Sequence, residues 1–156
     1  HLCDGRQRQM CIRDRSEDIA FNVDEWSKII SDASAVIYQF PFYWMSAPSL
    51  LKKWQDEVFT FLSKTPAVAG KPLTVVTTTG SEYEAYRSGG RNRFTTDELL
   101  RPYQVSAIHS GMSWQTPIVV YGMGTADAGK NIAEGANLYK QRVEMLIGSS
   151  NAGNNW

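Results

Sequence analysis

Short apolar runs alternate with amphipathic stretches along this chain. Three runs of five or six residues are rich in β-branched or aromatic side chains: Val36–Phe40, Leu73–Thr78 and Pro117–Tyr121. Such runs are typical of strands buried on both faces of a parallel sheet. Because longer amphipathic stretches lie between them, the pattern predicts an α/β fold with a parallel sheet and helices on both faces.

Four helices are predicted around these strands. They run from Asp24 to about Ser34, from Ser49 to about Leu62, over most of Asp97–Met112, and from Asp127 to about Ile147. Asp24 and Ser46 are the expected N-caps of the first two helices, and Pro48 suits the first turn of the second. In that second helix one apolar side is expected to face the core: Leu50, Leu51, Trp54, Val58, Phe61 and Leu62.

An aromatic loop follows the first predicted strand. Pro41 ends the strand because it has no N–H to donate, and Phe42, Tyr43 and Trp44 come next. Ligands of open α/β sheets bind outside the carboxyl ends of strands. These aromatic side chains either cover the core or form a surface for a flat ligand, and three in succession cannot all point inward.

A second polar turn, Thr78-Thr79-Gly80-Ser81, follows the second predicted strand. Its threonines offer hydroxyl and backbone donors, and its glycine allows a ring to approach the backbone closely. The loop continues to Thr96 with three glycines and with Arg87, Arg91 and Arg93. Those arginines either lie in solvent or bind a phosphate through the planar guanidinium fork.

Composition narrows the functional classes. The 156 residues suit one domain, and a net charge of zero argues against nucleic acid or anionic membrane as a partner. Cys3 and Cys11 are the only cysteines, no second ligand pair accompanies them, and neither a disulfide framework nor a metal site is expected. Residues 1–15 are interpreted as a non-native leader, residues 16–150 as the domain and residues 151–156 as a disordered tail.

Three longer stretches carry a family resemblance. They are VIYQFPFYWMSAPSLLKKW (Val36–Trp54), TVVTTTGSEYEAYRSGGRNRF (Thr74–Phe94) and LRPYQVSAIHSGMSWQTPIVVYGM (Leu100–Met123). In this order they resemble the flavodoxin-like NAD(P)H:quinone oxidoreductases, especially the ancillary proteins of glutathione-gated potassium-efflux systems. The resemblance covers about Phe21 to Met123. It implies a three-layer flavodoxin-like sandwich.

The resemblance also implies a site. FMN or FAD would lie against Pro41, Phe42, Tyr43 and Trp44 and against Thr78, Thr79, Gly80 and Ser81, where Ser81 replaces the second glycine of the family's turn. Tyr86 matches a tyrosine near flavin and substrate, the alternative being a surface tyrosine. Arg87, Asn92 and Arg93 would meet NAD(P)H or substrate, with Asn92 or Arg93 near the place of a histidine found in some relatives.

By the same resemblance, NAD(P)H would pass a hydride through the flavin to a quinone in a cytoplasmic homodimer. The alternative is a regulatory subunit of a potassium-efflux antiporter, attached to the inner membrane through that partner. Flavodoxin-like sheets have five strands, so the predicted strands correspond to the third, fourth and fifth. The chain is therefore expected to be a fragment that lacks the first two strands and the phosphate loop. Such a fragment is expected to fold weakly and to hold no stable flavin.

Overall fold

A parallel sheet forms the centre of the protein, for which a computed structural model describes residues 20–152. Its strands are β1 (Val36–Pro41), β2 (Pro72–Thr78), β3 (Ser113–Trp114) and β4 (Ile118–Val120). β2 is central: β1 pairs along one side of it, and β3 and β4 pair in succession along the other. The predicted α/β class and parallel sheet are confirmed, and β3 is a short addition that the apolar pattern did not indicate.

Helices account for most of the remaining described residues. They are α1 (Val23–Asp32), α2 (Ser49–Trp54, Gln55–Phe59 and Thr60–Leu62 in direct succession), α3 (Thr96–Leu99), α4 (Arg101–His109) and α5 (Ala128–Ala152). A 3₁₀ turn, Tyr83–Tyr86, lies in the polar loop after β2. The helix predicted over Asp97–Met112 is therefore two helices that meet at Leu100. α5 extends beyond the predicted Ile147 into the expected tail, and residues 1–19 and 153–156 lie outside the described part.

Both predicted N-caps are wrong. The side chain of Asn22, not Asp24, caps α1 by accepting hydrogen bonds from two backbone N–H groups of the first turn. α2 begins after Pro48, which offers no capping side chain. The Ser46 hydroxyl bonds instead to the Tyr103 hydroxyl at 3.1 Å. The Ser46 side chain could cap a helix, but it joins two distant parts of the chain instead.

A π-helical turn changes which face of α2 is buried. Residues Gln55–Phe59 form this turn, which contains one more residue than an α-helical turn. The extra residue rotates the following side chains around the axis, so Phe59 is 7% exposed and Phe61 is 64% exposed. The prediction that Phe61 faces the core is therefore wrong, and Phe59 takes its place.

The core is divided by the sheet. The β1 side chains Val36, Tyr38 and Phe40 share one face with Val75 and pack with residues of α1, α2 and α4. Within this layer four aromatic rings make successive edge contacts: Trp26, Trp54, Tyr38 and Tyr103. α5 covers the opposite face, where the alternating residues of β2 and β4 point.

The register of the sheet brings three strand ends together. Pro41 pairs with Thr78, and Thr78 pairs with Val120. We call this end of the sheet, at Pro41, Thr78 and Val120, the carboxyl edge. Among the described residues, β1 pairs with β2 alone. Whether further strands belong to the whole protein stays a prediction.

Candidate functional site

The two loops singled out by the sequence meet at the carboxyl edge. The Phe42 N–H donates to the Thr78 carbonyl at 2.9 Å, and the Thr79 N–H donates to the Val120 carbonyl at 2.9 Å. Pairing of the sheet therefore continues one residue beyond each strand. The aromatic loop and the threonine turn lie side by side because parallel strands end at the same edge.

The aromatic loop is a tight turn that presents one tryptophan to solvent. Tyr43 and Ser46 exchange backbone hydrogen bonds of 2.9 and 3.0 Å. Trp44 and Met45 between them have φ values of 48° and 63°, a left-handed conformation that costs on the order of 1 kcal/mol or more for each such residue. Trp44 is 98% exposed.

The aromatic side chains of this loop are predicted either to cover the core or to form a surface for a flat ligand, and the structure has both buried and outward-facing ones. Phe42 is partly buried and packs against the core, whereas Tyr43 and Trp44 point outward. The end of the loop is also attached to α4, because the Ala47 N–H donates to the Tyr103 hydroxyl at 3.1 Å. A rigid turn thus holds a flat, exposed side chain next to the threonine turn.

The threonine turn is built mainly by its own hydrogen bonds. Thr79 is buried, and its hydroxyl donates to the Ser81 carbonyl at 2.9 Å. The N–H groups of Met123 and Gly124 donate to the Thr79 and Gly80 carbonyls. Gly80 has open space where a Cβ would stand. The Thr79 hydroxyl therefore shapes the turn, and the backbone at Gly80 is what a ligand could approach.

Tyr86 lies under the aromatic loop and not on the surface. It is 5% exposed, with its ring centroid 6.2 Å from that of Phe42 and 5.8 Å from that of Tyr121. Its hydroxyl makes no hydrogen bond to the described part of the chain. The alternative of a surface tyrosine is thereby excluded. A buried ring beside Phe42, with a hydroxyl left free for a ligand, suits a group that acts at the carboxyl edge.

The arginines of the loop differ in what they contact. Arg87 is exposed and stacks over the Tyr83 ring, with Cζ 5.3 Å from the ring centroid. Arg91 donates to the Ser81 hydroxyl at 2.6 Å and pairs with Glu82 at 3.3 Å. Arg93 is exposed in a left-handed conformation. The sequence could not distinguish Arg91 from Arg87 and Arg93, and Arg91 is the one that contacts the threonine turn.

Asn92 adds an unpaired donor to this loop. Its backbone N–H bonds to the Ala85 carbonyl at 3.1 Å, whereas its side-chain Nδ2 is buried without a partner among the described residues. Such groups are rare in proteins, because an unpaired buried donor costs free energy. Within the described residues of this loop, the Asn92 amide is thus the buried donor without a partner.

Tyr121 is the residue of this region that the sequence reasoning missed. It follows β4 directly, and its ring lies 5.3 Å from that of Tyr83. Its hydroxyl bonds to the Thr96 hydroxyl at 2.7 Å. Burial raises the pKa of this hydroxyl, and the bond from Thr96 lowers it less. Its place at the end of a predicted strand was the signal that could have identified it.

A cavity of about 380 Å³ lies beyond Tyr83 and Tyr121, between β4 and α5. Four carboxylate side chains line it: Glu82, Glu84, Asp127 and Glu134. None of the aromatic loop belongs to its walls. Since carboxylates repel the phosphates of a nucleotide cofactor, the part of the carboxyl edge at Pro41 and Thr78 is the better candidate site. No helix within residues 20–152 has the length and apolarity needed to cross a membrane.

Comparison with curated proteins identifies relatives of the chain. General stress protein 14 of Bacillus subtilis is 37% identical over 132 residues, which are 82% of this chain and 75% of that protein. An uncharacterized NAD(P)H oxidoreductase of the same organism is 36% identical, over 86% of this chain and 68% of its own length. A glutathione-regulated potassium-efflux ancillary protein of Cronobacter sakazakii is 35% identical, and the chain spans only 59% of its length.

Solved structures show the same fold. General stress protein 14 of Treponema denticola, in complex with FMN, is 27% identical with a TM-score of 0.73, covering 81% of this chain and 74% of that one. An NADPH-quinone reductase of P. pentosaceus is 29% identical with a TM-score of 0.62, over 87% and 76%. A chain described as a thermophilic tryptophan halogenase from Streptomycin violaceusniger is 37% identical with a TM-score of 0.73, over 80% and 74%.

The halogenase description names a different chemistry from the other relatives, so that structure supports the fold alone. Residues 5–143 match the protein family described as having a flavodoxin-like fold. This match covers most of the chain, and the parallel sheet of the described residues agrees with it. The chain therefore belongs to the flavodoxin-like family that includes NAD(P)H oxidoreductases and quinone reductases.

Proposed function

We propose that this protein is an NAD(P)H-dependent flavin oxidoreductase that reduces a quinone. The observation that carries the proposal is the meeting of the aromatic loop, the threonine turn and Tyr86 at one end of a parallel sheet. The names of the oxidoreductase and quinone-reductase relatives, and the FMN complex of one relative, support it. We favour FMN over FAD because one of these relatives was solved in complex with FMN.

The residues present suit the isoalloxazine ring of a flavin. Trp44 offers an exposed aromatic face, Gly80 an accessible backbone, and Tyr86 a hydroxyl that lacks a partner among the described residues. A flavin is flat and partly apolar, with carbonyl and nitrogen acceptors along its edge, so stacking and backbone or hydroxyl donors match it. When bound, the flavin would supply the acceptance and delivery of a hydride.

The chain's own residues would orient the cofactor and its substrates. Trp44 would cover the ring, and the turn at Gly80 would offer it an accessible backbone. Tyr86 would donate a hydrogen bond to the ring, where a donor favours negative charge. The guanidinium groups of Arg87 and Arg93 are exposed on the same loop, where either can meet an NAD(P)H phosphate. Asn92 carries the unpaired amide donor that would meet a substrate oxygen.

The flavin site is tested by titrating the purified chain with FMN and with FAD and following fluorescence quenching. Trp44→Ala is expected to weaken FMN binding about fivefold, since an aromatic stacking contact contributes roughly 1 kcal/mol. Phe61→Ala is the matched control: Phe61 is also an exposed aromatic, but α2 leads away from the carboxyl edge before reaching it. Equal FMN affinities for wild type and Trp44→Ala would contradict the assignment.

Catalysis is tested by NAD(P)H oxidation with a soluble benzoquinone as acceptor. Tyr86→Phe keeps the ring contacts and removes the hydroxyl, so kcat is expected to fall while FMN affinity is retained. A flavin-loaded chain that does not oxidise NAD(P)H in the presence of the quinone would refute the enzymatic proposal. Size-exclusion chromatography at several protein concentrations tests the proposed homodimer. Cell fractionation tests the proposed cytoplasmic location.

A second candidate function is an ancillary role in potassium efflux, which the similarity to the Cronobacter sakazakii protein favours. The exposed turn residues Tyr43, Trp44 and Met45 would then also be available to a membrane partner. The test is potassium efflux from vesicles that contain the antiporter, with and without this protein. Stimulation by the wild type that survives Tyr86→Phe would support this role independently of catalysis.

A further inference from the structure

We infer that Tyr121 is a positioning residue, which holds the loop between the threonine turn and α3 so that Tyr86 faces the candidate flavin site. The part of this inference that concerns the role of Tyr86 at the flavin site rests on the proposed function. That Tyr121 orders the loop is a separate statement, which follows from its contacts alone.

Two aromatic contacts place Tyr121 against the 3₁₀ turn of the loop. Its ring centroid lies 5.3 Å from that of Tyr83 with an edge-on arrangement, and 5.8 Å from that of Tyr86 with the rings tilted by 50°. Tyr86 in turn contacts Phe42 at 6.2 Å. Tyr86 is therefore held between the aromatic loop on one side and Tyr121 on the other.

A hydrogen bond fixes the far end of the loop to the same side chain. The Tyr121 hydroxyl and the Thr96 hydroxyl are 2.7 Å apart, and Thr96 is 6% exposed. Thr96 begins α3, directly after the Thr95 cap. Because Tyr121 directly follows Val120, the last residue of β4 and paired with Thr78, this bond ties the start of α3 to the end of a strand. Tyr121 thus contacts the loop at its beginning and at its end.

Between these contacts the loop is closely folded. The Asn92 N–H bonds to the Ala85 carbonyl, and the Gly90 N–H bonds to the Arg87 carbonyl. A Cβ at Gly90 would stand 2.2 Å from the Glu84 carbonyl oxygen. These backbone contacts join the middle of the loop to the 3₁₀ turn that carries Tyr86. Loss of the Thr96 contact is thus expected to reach Tyr86.

The experiment uses Tyr121→Phe, which keeps the ring and removes the hydroxyl, and Thr96→Val, which removes the same bond from its other partner. Thr74→Val is the matched control, because it also removes one threonine hydroxyl bond, to the Thr116 carbonyl, away from the loop. Backbone hydrogen exchange reports on the loop amides of Ala85, Gly90 and Asn92. Both loop variants should speed that exchange by about two- to tenfold, the range one hydrogen bond spans, and the control should not.

Kinetics then ask whether Tyr121 acts through Tyr86. Tyr121→Phe is expected to lower kcat for quinone reduction about two- to tenfold, with FMN affinity changed less than about twofold. In a Tyr86→Phe background the same substitution should lower kcat no further, because the group it positions is already gone. A merely structural role would give the same loss in both backgrounds.

The outcomes separate the two proposals. Unchanged loop exchange in Tyr121→Phe overturns the positioning role, whatever the kinetics show. Faster exchange with additive kinetic losses overturns its action through Tyr86. If the wild type does not oxidise NAD(P)H, the proposed function fails, and the exchange data still decide whether Tyr121 orders the loop.

Discussion

Replacing Gly135 with alanine tests how closely α5 packs on the sheet. An alanine inside a helix is normally stabilising relative to glycine, by about 1 kcal/mol. Here a Cβ would lie 2.3 Å from Cγ2 of Val120, 3.3 Å from Cγ1 and 3.4 Å from Cβ of the same residue. Since Val120 belongs to β4, the added methyl group would press α5 away from the sheet.

The size of the effect follows from these distances. Carbon atoms prefer a separation of roughly 3.5 Å or more, so the closest contact must open by about 1.2 Å from its 2.3 Å. A valine side chain is stiff at χ1, and rotating it brings another branch into the same space. Overpacking of this kind costs about 1–3 kcal/mol. We take the upper part of that range because the overlap is deep, and the net loss of stability for Gly135→Ala is then about 1–2 kcal/mol.

Urea unfolding followed by circular dichroism measures this loss directly. Gly148→Ala is the matched control, because Gly148 lies in the same helix and no atom stands within 4 Å of the added Cβ. It is expected to raise the free energy of unfolding by about 0.5–1 kcal/mol. Val120→Ala removes both γ carbons, so in the double variant Gly135→Ala should lose most of its cost.

The reasoning would be refuted if Gly135→Ala stabilised the protein as much as Gly148→Ala does. Equal losses from Gly135→Ala with and without Val120→Ala would also refute it, because the cost would then come from elsewhere than the β4 contact. Either result would mean that α5 sits farther from the sheet than these distances state.

Three further predictions concern stability. Phe59→Ala should lower the free energy of unfolding by about 3 kcal/mol, and Phe61→Ala should lower it by less than about 0.5 kcal/mol. Equal losses for the two variants would contradict the π-helical turn of α2. Hydrogen bonds from the Thr95 backbone and side chain hold the pKa of Glu98 below its usual value. The ionised Glu98 side chain therefore stabilises the folded protein fully above the usual carboxyl pKa, and this stabilisation is lost as pH falls through the folded-state pKa. The stability difference between wild type and Glu98→Gln should therefore shrink on acidification, and a pH-independent difference in melting temperature would argue against it. Lys71 donates hydrogen bonds to three carbonyls at the end of α1. Lys71→Met should therefore lower the free energy of unfolding by about 1 kcal/mol and speed backbone hydrogen exchange at the end of α1. Unchanged exchange there would disprove this prediction.

The main elements of the fold could be predicted from local patterns. β-branched runs identified the strands at Val36–Phe40 and Leu73–Thr78 to within one residue, because burial on both faces leaves no polar alternation. The carboxyl ends of these strands then located both loops of the candidate site. Pairing of Pro41 with Thr78 brings the loops together, as the strand-end rule indicates.

The errors arose where a distant contact outweighs a local preference. Ser46 has the chemistry of an N-cap, yet its hydroxyl bonds to Tyr103, a residue far along the chain. Phe61 has the right spacing for the core, yet the π-helical turn rotates it outward and Phe59 inward. Neither the bond nor the rotation is visible in local spacing, because each depends on what packs against the element.

The sequence by itself determined the α/β class, the order of the strands, the aromatic loop and the position of Tyr86 in a polar loop, because these follow from periodicity and turn-forming residues along the chain. Only the tertiary structure decided that Trp44 faces solvent, that Tyr86 is buried against Phe42, and that Tyr121 contacts the loop at both ends. The physical reason is that burial and side-chain contacts depend on neighbours from other strands. Residues that are 25 or more positions apart, such as Thr96 and Tyr121, become partners only after the sheet has formed.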